Sequence, residues 1–316
     1  MKILICPLNW GLGHATRCVP INRKLRAENH EVVIASDGFP LEFLQQQFPE
    51  LRFITFPSYK IKYSLRKTQI FALLKSLPNI LMGIWEEHCW LKKLLGAEHF
   101  DQVISDYRFG LWTKKTHCTY ITHQLMIKMP RGFKWLEPLV WLIHRVFINM
   151  FNKCWIPDVA GKENLSADLS HKYPLPRNAK FIGPLSRFQG IEIIPNKEFE
   201  VIGLISGPEP QRTLFENFLI EKFKNERSKT LIMCGKPQSV IVERNVGNIK
   251  LVSHLPDKEL AEFITGSGKI MARSGYSTIM DLVALNCLEK TEFVPTPGQT
   301  EQEYLKTIHN LRDYRI

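Results

Sequence analysis

The residues best suited to chemistry follow the first apolar run of the sequence. This run leads into the turn LNWGLGH, which holds Gly11 and Gly13 and closes on His14 at the start of a helical pattern. Glycines let the backbone approach a ligand closely, and a helix N-terminus offers free N–H groups and partial positive charge to an anion. A histidine here can serve as a general base near neutral pH. Two simpler interpretations stay open: a tight turn made by the glycines, and a capping or packing role for His14.

A second candidate base, Asp106, ends the apolar run DQVISD. The carboxyl ends of parallel strands meet at one edge of a sheet, and open α/β sheets bind their ligands along that edge. We therefore expect Asp106 at the same edge as His14. The alternative role for this aspartate is a helix N-cap.

The second half of the sequence carries ligand-type residues at four successive strand ends. The turn SGPEPQRT opens a helix with Gly207, Gln211 and Arg212, and its N–H groups and its arginine suit a diphosphate. An ordinary N-capped turn is the alternative. The next strand end carries His254 and Leu255, where a flat side chain and a free backbone edge suit a nucleobase.

The other two strand ends are rich in hydroxyl, amide and carboxyl groups. The turn RSGYST can anchor a phosphate at a helix start, and Asp281, one turn into that helix, can accept both hydroxyls of a ribose. The run TPGQTEQE offers Gln302 and Glu303 to sugar hydroxyls. Within the turn RSGYST, the candidate ligands are Arg273, Ser274, Gly275, Ser277 and Thr278.

These residues need a scaffold of parallel strands, and the sequence predicts one. Short apolar runs alternate with helical patterns, which indicates parallel sheet covered by helices. A stretch with Pro, Gly and charged residues interrupts the alternation near residue 185, and the pattern restarts at VIGLI. We predict an α/β protein of two Rossmann-like, doubly wound domains, residues 1–184 and 185–316. The cleft between them is the expected active site.

Composition narrows the class of protein and its partners. Of the 316 residues, 44% are hydrophobic and 23% charged, which is too apolar for a disordered chain. The formal charge of +11 favours anionic partners such as nucleotides and phospholipid surfaces, and the absence of a binding motif with interleaved aromatic residues argues against nucleic acid. Seven scattered cysteines without a CxxC pair indicate reduced, buried thiols. The first residues do not have the pattern of a secretory leader, so we expect a cytoplasmic protein.

The most apolar stretch, residues 133–155, is interrupted by charges and a proline before it reaches the length of a transmembrane helix. Apolar and basic residues on one face would allow a peripheral contact with an anionic membrane at its inner side. A buried helix of the first domain is the alternative. Further basic residues cluster at Lys60, Lys62, Arg66 and Lys67.

The second-half motifs resemble a known family, the MurG-like N-acetylglucosaminyltransferases of glycosyltransferase family 28. ARSGYSTIMDL and FVPTPGQTEQEY resemble the donor signature of that family, and GLGH resembles its glycine-rich loop ending in histidine. The resemblance implies the GT-B architecture. It further implies that Asp281 binds the ribose and that Gln302 and Glu303 meet the donor sugar. Glu303 stands where the family has a second glutamine, so the identity of the sugar stays open.

The same resemblance implies positions for the rest of a UDP-sugar. Residues 253–255 would hold the base, while residues 206–212 and 274–278 would hold the diphosphate. The predicted reaction transfers N-acetylglucosamine or another hexose from the UDP-sugar to an acceptor such as a glycolipid of the cell envelope, with inversion and with no metal or other cofactor. His14 or Asp106 would take the acceptor proton.

Residues on both sides of the cleft would assist this transfer. The leaving group would be stabilised by Arg212, Arg273 and the helix start at Ser277. The segment ITHQ places His123 and Gln124 on the acceptor side, with a surface loop as the alternative.

Other classes of protein share this architecture. A sugar-nucleotide 2-epimerase would use the same donor site, and a non-catalytic nucleotide-sugar binder would keep the site without the reaction. GT-B enzymes commonly add a C-terminal helix that crosses back onto the first domain. Since the sequence stops soon after the helical pattern that begins at Thr300, we expect this crossing to be very short or missing.

Overall fold

The computed structural model describes residues 1–56, 69–237 and 240–311. The basic cluster from Lys60 to Lys67, which the sequence suggested as a membrane contact, lies outside these residues.

The first half folds around a seven-stranded sheet with the strand order β3-β2-β1-β4-β5-β6-β7, and every neighbouring pair runs parallel. Its strands are β1 (Lys2–Pro7), β2 (Glu31–Ser36), β3 (Arg52–Thr55), β4 (Gln102–Asp106), β5 (His117–Ile121), β6 (Lys153–Ile156) and β7 (Ala179–Phe181). The helices that cover it are α1 (Leu12–Ala27), α2 (Gly38–Gln47), α3 (Gln69–Ala97), α4 (Glu137–Ile148) and the short α5 (Asp168–His171).

The second half folds around a six-stranded sheet with the order β10-β11-β9-β8-β12-β13, which is parallel except for the β10–β11 pair. Its strands are β8 (Val201–Leu204), β9 (Thr230–Met233), β10 (Glu243–Val246), β11 (Ile249–Val252), β12 (Lys269–Ala272) and β13 (Thr291–Phe293). Its helices are α6 (Gln211–Phe223), α7 (Asp257–Gly266), α8 (Tyr276–Ala284) and α9 (Thr300–Leu311).

The strands form where the sequence has continuous apolar runs, because a sheet with helices on both faces buries every side chain of its central strands. In β1, Leu4 and Cys6 pack into the core on one face of the sheet, and Ile3 and Ile5 pack into the core on the other. This alternation follows from the two-residue period of a strand. The prediction of two doubly wound α/β domains is confirmed.

Helix α9 ties the end of the described chain to the first half of the molecule. The Thr300 hydroxyl donates to the Lys128 carbonyl at 2.6 Å, and the Asp168 backbone N–H donates to the Tyr304 hydroxyl at 3.0 Å. Leu165 and Leu169 also pack into the core of the second sheet. Helix α9 therefore contacts the first half of the molecule directly.

The structure bears on the expected burial of the cysteines and on the expected lack of a transmembrane helix. All seven cysteines are free, and six are buried as expected, but Cys89 on α3 is exposed. Within the described residues, no helix is both long and apolar enough to cross a membrane.

Candidate active site

A large cleft lies between the carboxyl edges of the two sheets, at the position predicted for the active site. Its cavity measures about 1630 Å³ and is lined by residues of both domains. Most of the predicted site residues line it: Gly11, Gly13, His14, His123, Gln124, Gly207, His254, Leu255, Gly275, Ser277, Thr278, Asp281, Gln302 and Glu303.

The two candidate bases form one unit in the first domain. His14 lies in the first turn of α1, and its Nδ1 is 3.3 Å from Oδ1 of Asp106 at the end of β4. Asp106 is fully buried, so it takes part through His14 and not by touching a ligand in the cavity. The role of helix N-cap is wrong for Asp106, since β4 is followed by β5 with no helix between them.

Arg17, which the sequence analysis missed, completes this unit. Its Nε donates to Asp106 Oδ2 at 2.6 Å, its Nη2 also contacts Asp106 Oδ1, and the same Nη2 lies 2.8 Å from His14 Nδ1. Only 1% of the Arg17 surface is exposed. The spacing of three residues between His14 and Arg17 was the available signal, because side chains at that spacing lie on the same helix face.

The ionisation of this unit follows from burial and from the arginine. Burial, and then the charge of Arg17, lower the pKa of His14, although Asp106 acts in the opposite direction. Burial opposes the ionisation of Asp106, but Arg17 and His14 together hold the pKa of this carboxyl below its usual value. Near neutral pH the site therefore holds a carboxylate and a neutral imidazole.

A second histidine connects this unit to the other domain. The Nδ1 of His123 lies 3.2 Å from Arg17 Nη1, and its Nε2 lies 2.8 Å from Oε1 of Glu301 at the start of α9. The imidazole stacks on the ring of Tyr276 with 4.2 Å between centroids. Glu301 lines the cavity beside Gln302 and Glu303. The sequence predicted these two neighbours as sugar ligands and did not predict Glu301.

The glycine turn brings the two domains into contact. Gly11 has φ 131°, a conformation that favours glycine, and a Cβ on it would lie 4.0 Å from the Cα of Gly207 in the opposing turn. The Ser277 hydroxyl donates to the Gly13 carbonyl at 2.9 Å, and a Cβ on Gly13 would lie only 2.8 Å from that hydroxyl oxygen. Gly13 thus allows the close approach of the two domains, whereas Gly11 is needed for the backbone conformation of the turn.

The donor-side residues surround the N-terminus of α8. This helix begins after Gly275 with no side chain capping its first N–H groups, and Ser277 and Thr278 line the cavity in its first turn. Asp281 follows one turn later. Its Oδ1 accepts from Ser186 at 2.6 Å and its Oδ2 lies 3.5 Å from Arg187 Nε. Burial raises the pKa of Asp281 to about 6.

The other predicted ligands on this side make local contacts. The Ser253 hydroxyl lies 3.0 Å from His254 Nδ1, which orients that ring, and burial lowers the pKa of His254. Gln302 accepts from the Thr296 N–H at 2.8 Å, and Glu303 accepts from the Gly298 N–H at 3.0 Å. Both side chains thereby fix the loop before α9.

Several predicted donor ligands lie outside the cavity lining, which corrects the sequence expectation. Arg212 is held by Glu209, with Nε to Oε1 at 3.0 Å. Arg273 donates to the carbonyls of Val294 and Pro295 at 3.1 and 2.9 Å, and so fixes the loop after β13 instead of meeting a diphosphate.

Ser274 and Gln211 also lie outside the cavity lining. Ser274 is fully buried and donates to the Gln302 carbonyl at 2.7 Å, and Gln211 is also buried. The Ser274 hydroxyl therefore points into the protein, where a backbone carbonyl satisfies it.

On the side of the first domain the cavity becomes an apolar chamber. Gln124 accepts from the Tyr107 hydroxyl at 2.9 Å near its polar end, so ITHQ is part of the cavity wall and not a surface loop. We use the name acceptor chamber for this region, whose apolar walls come from α3, α4 and the segments between strands. These walls include Ile84, Phe109, Ile127, Leu136, Val140, Ile143 and Phe147.

The two facing domains and the cleft between them define the GT-B architecture, and comparisons with known proteins agree. No family model matches the chain, so membership of family 28 stays a prediction. The chain is similar to proteins named uncharacterized glycosyltransferase: it is 22% identical to one from Methanosarcina mazei, over 96% of this chain and 82% of the relative, and 24% identical to one from Methanosarcina acetivorans, over the same shares.

A solved structure shows the same fold. The glycosyltransferase SsfS6 from Streptomyces sp. SF2575 superposes with a TM-score of 0.59 at 12% identity, over 98% of this chain and 86% of that chain. At this identity the likeness establishes the fold alone.

Proposed function

We propose that this protein is a glycosyltransferase that moves a sugar from a UDP-sugar to a hydroxyl group of an acceptor, with inversion of the anomeric carbon and without a metal ion. The observation that carries the proposal is the His14–Asp106 pair, which faces the N-terminus of α8 across the cleft. Sugar transfer requires a base for the acceptor proton and positive charge for the departing diphosphate. The base lies on the first-domain side of the cleft, and the partial positive charge of the α8 N-terminus lies on the other side.

On the donor side, the first turn of α8 is the proposed site of the diphosphate. The free N–H groups of a helix start, with the hydroxyls of Ser277 and Thr278, suit phosphate oxygens. Asp281 lies one turn further on and would accept the ribose hydroxyls in place of its present bond from Ser186. The base would lie against His254 and Leu255, which line the same cavity.

In the proposed reaction the acceptor oxygen attacks the anomeric carbon from the face opposite the diphosphate. The acceptor proton passes to His14 Nε2 as the new bond forms. The bond from the anomeric carbon to the diphosphate oxygen breaks, and its electron pair leaves with UDP. Asp106 stabilises the imidazolium that forms, and the α8 N-terminus stabilises the UDP anion. Metal independence is part of the proposal; among the described residues no cluster of three or more His, Cys, Asp or Glu forms a candidate metal site.

The acceptor chamber supports an acceptor with a large apolar part, such as a lipid-linked sugar. Its walls are aliphatic and aromatic, and His14 lines the same cavity. Apolar walls favour an apolar ligand because burial removes both surfaces from water. The reacting hydroxyl would lie at the polar end near His14, with the apolar chain along α4.

The outer side of the same helices supports a proposed membrane contact. Leu142 and Val146 on α4 are 49% and 58% exposed, and Trp135 just before it is 73% exposed. We call the whole surface the apolar face. It consists of Leu139, Leu142, Ile143, Val146 and Met150 on and after α4, with Leu81, Met82 and Trp85 on α3.

The apolar face adjoins the opening of the acceptor chamber, because Leu81, Leu139 and Ile143 belong to both. Lys134 lies exposed near the face, and the Arg145 guanidinium lies 5.4 Å from the Trp141 ring. Apolar side chains beside cations suit an anionic bilayer. We therefore propose that the protein contacts the inner surface of the membrane.

Vesicle binding tests this part of the proposal. Leu142→Asp with Val146→Asp should abolish co-sedimentation with anionic phospholipid vesicles, and neither residue lines the cavity. Leu214→Asp with Phe218→Asp on α6 is the matched control, because these residues are also 49% and 45% exposed but belong to the second domain. Equal binding by both variants would exclude the apolar face as the contact.

The activity itself is tested by product analysis. The purified protein is incubated with UDP-N-acetylglucosamine or UDP-glucose, with and without a lipid extract. Sugar incorporated into lipid with release of UDP, and slowed by about 10² to 10⁴ in His14→Ala, is the expected result. A changed sugar nucleotide without any acceptor would instead identify an epimerase. Nucleotide-sugar binding without either product would identify a non-catalytic binder.

A further inference from the structure

The hydrogen-bond network around Arg17 has a fixed direction, because a guanidinium group only donates. Arg17 Nη1 lies 3.2 Å from His123 Nδ1, so this nitrogen is the acceptor. A neutral His123 then carries its proton on Nε2 and donates it to Glu301 at 2.8 Å. The chain of donors runs from the first domain to α9 of the second.

The same reasoning applies to His14. Arg17 Nη2 lies 2.8 Å from His14 Nδ1, closer than the 3.3 Å between this nitrogen and Asp106 Oδ1. A nitrogen that accepts from Arg17 cannot donate to Asp106, so the neutral ring carries its proton on Nε2. That is the nitrogen which the proposed mechanism needs as the proton acceptor.

We propose that Arg17 is a positioning residue that holds His14 in a resting tautomer, and that the His14–Asp106 pair becomes a base only when the guanidinium gives up its bond to His14. This inference rests on the proposed function. In the exchange, Nε2 loses a proton to water in the cleft and Nδ1 gains one from water, so the charge of the ring does not change. Nδ1–H then donates to Asp106, and Nε2 is free to accept.

The surroundings explain why this arrangement is stable without a ligand. Asp106 is fully buried and needs the guanidinium as its counter-ion, which keeps Arg17 within reach of His14. The His14 ring contacts Arg17 of its own helix and Asp106 of β4. It also lies 5.7 Å from the Tyr107 ring. The charges of His123 and Glu301 act on it at longer range.

The alternative partner of the guanidinium is His123. A stronger bond from His123 to Glu301 makes His123 Nδ1 a better acceptor for Arg17, because hydrogen bonds in a chain polarise one another. Closure of the second domain onto the first would therefore draw Arg17 from His14 towards His123. The Glu301→Gln variant, which lacks the carboxylate charge, should hold His14 in the resting tautomer more firmly.

The test is ¹⁵N NMR of histidine-labelled free protein at pH 7.5, with His14 assigned from the loss of its signals in His14→Gln. We expect the wild-type spectrum to show His14 protonated on Nε2. In Arg17→Lys the single ammonium cannot serve Asp106 and both histidines, so His14 should shift to the Nδ1–H form. Arg26→Lys, an exposed arginine on the same helix, should leave the spectrum unchanged.

Either of two results would overturn the proposal. One is a wild-type His14 already protonated on Nδ1, which is observed without any change to Arg17. The other is an unchanged His14 tautomer in folded Arg17→Lys, which would leave Arg17 without the assigned role. Because no sugar transfer is measured, both results are independent of whether the protein proves to be a transferase.

Discussion

Replacing Asp281 by asparagine should stabilise the free protein while weakening donor binding. Burial raises the pKa of Asp281 to about 6 from an ordinary value of 3.8, although the carboxyl accepts from Ser186 and lies near Arg187. Each pKa unit corresponds to about 1.4 kcal/mol, so a difference of about two units means that ionised Asp281 costs the fold about 3 kcal/mol. Asparagine keeps the shape and the acceptor for Ser186 without the charge.

The sign of the pH dependence follows from the raised pKa. Below the unfolded pKa of 3.8 the carboxyl is neutral in both states, and it does not oppose folding. As pH rises towards 6 the unfolded chain ionises first, so stability is lost, and above 6 the loss is complete. Asp281→Asn should therefore raise the free energy of unfolding by about 3 kcal/mol at pH 7.5 and by about 1 kcal/mol at pH 4.5.

Urea unfolding at the two pH values, followed by tryptophan fluorescence, measures this difference. Arg187 keeps a carboxylate partner in the variant, because its Nη1 also lies 3.2 Å from Asp257. Glu243→Gln is the matched control: this exposed carboxylate pairs with Lys250 at 3.0 Å, and its loss should change stability by less than about 1 kcal/mol.

A destabilised Asp281→Asn, or one whose gain is the same at both pH values, would refute the reasoning. The functional side is measured on the same preparation. If the ionised carboxylate accepts the ribose hydroxyls, the variant should bind UDP about tenfold more weakly, since a hydrogen bond to a charged group contributes about 1.5 to 3 kcal/mol. Stability gained together with affinity lost would show that this buried charge is kept for ligand binding.

Three further substitutions test the other parts of the site. His14→Ala should lower the rate of transfer by about 10² to 10⁴ and leave UDP affinity unchanged in calorimetry; equal loss of binding would mean a binding role. Asp106→Ala leaves Arg17 buried without its counter-ion and should lower stability by about 3 to 5 kcal/mol in urea unfolding, and an unaffected midpoint would contradict the buried ion pair. Gly13→Ala should weaken UDP binding and lower stability, because its Cβ would clash with the Ser277 hydroxyl. Adding Ser277→Gly should recover the stability in urea unfolding, and no recovery would mean that the strain lies elsewhere.

The architecture was predictable because central strands of a two-sided parallel sheet must be continuously apolar. The runs that became β1 and β12 are of this kind, and the glycine turn and the RSGYST turn follow them directly. Strand β3, with two of its four residues exposed, and the antiparallel β10 carry no such run and were not predicted. Strands at a sheet edge bury fewer side chains, so their sequences are less constrained.

The site was predictable at the level of turns but not of side-chain direction. His14 and Ser277 face the cavity as expected, whereas Arg273 turns inward to two carbonyls. The ion pair of Arg17 with Asp106 joins residues far apart in sequence, and one sequence contains no signal for such a pairing. For the apolar stretch of residues 133–155 the sequence left a membrane contact and a buried helix open, and the structure exposes Leu139, Leu142, Ile143 and Val146.

The most direct test of the central claim is calorimetric titration of the wild-type protein with UDP, UDP-N-acetylglucosamine, UDP-glucose and GDP-mannose in the presence of EDTA. We expect saturable binding of the uridine nucleotides at one site per chain, weakened by Asp281→Asn and unaffected by His14→Ala. Absence of binding by every nucleotide, or equal binding by wild type and Asp281→Asn, would contradict a donor site at the start of α8.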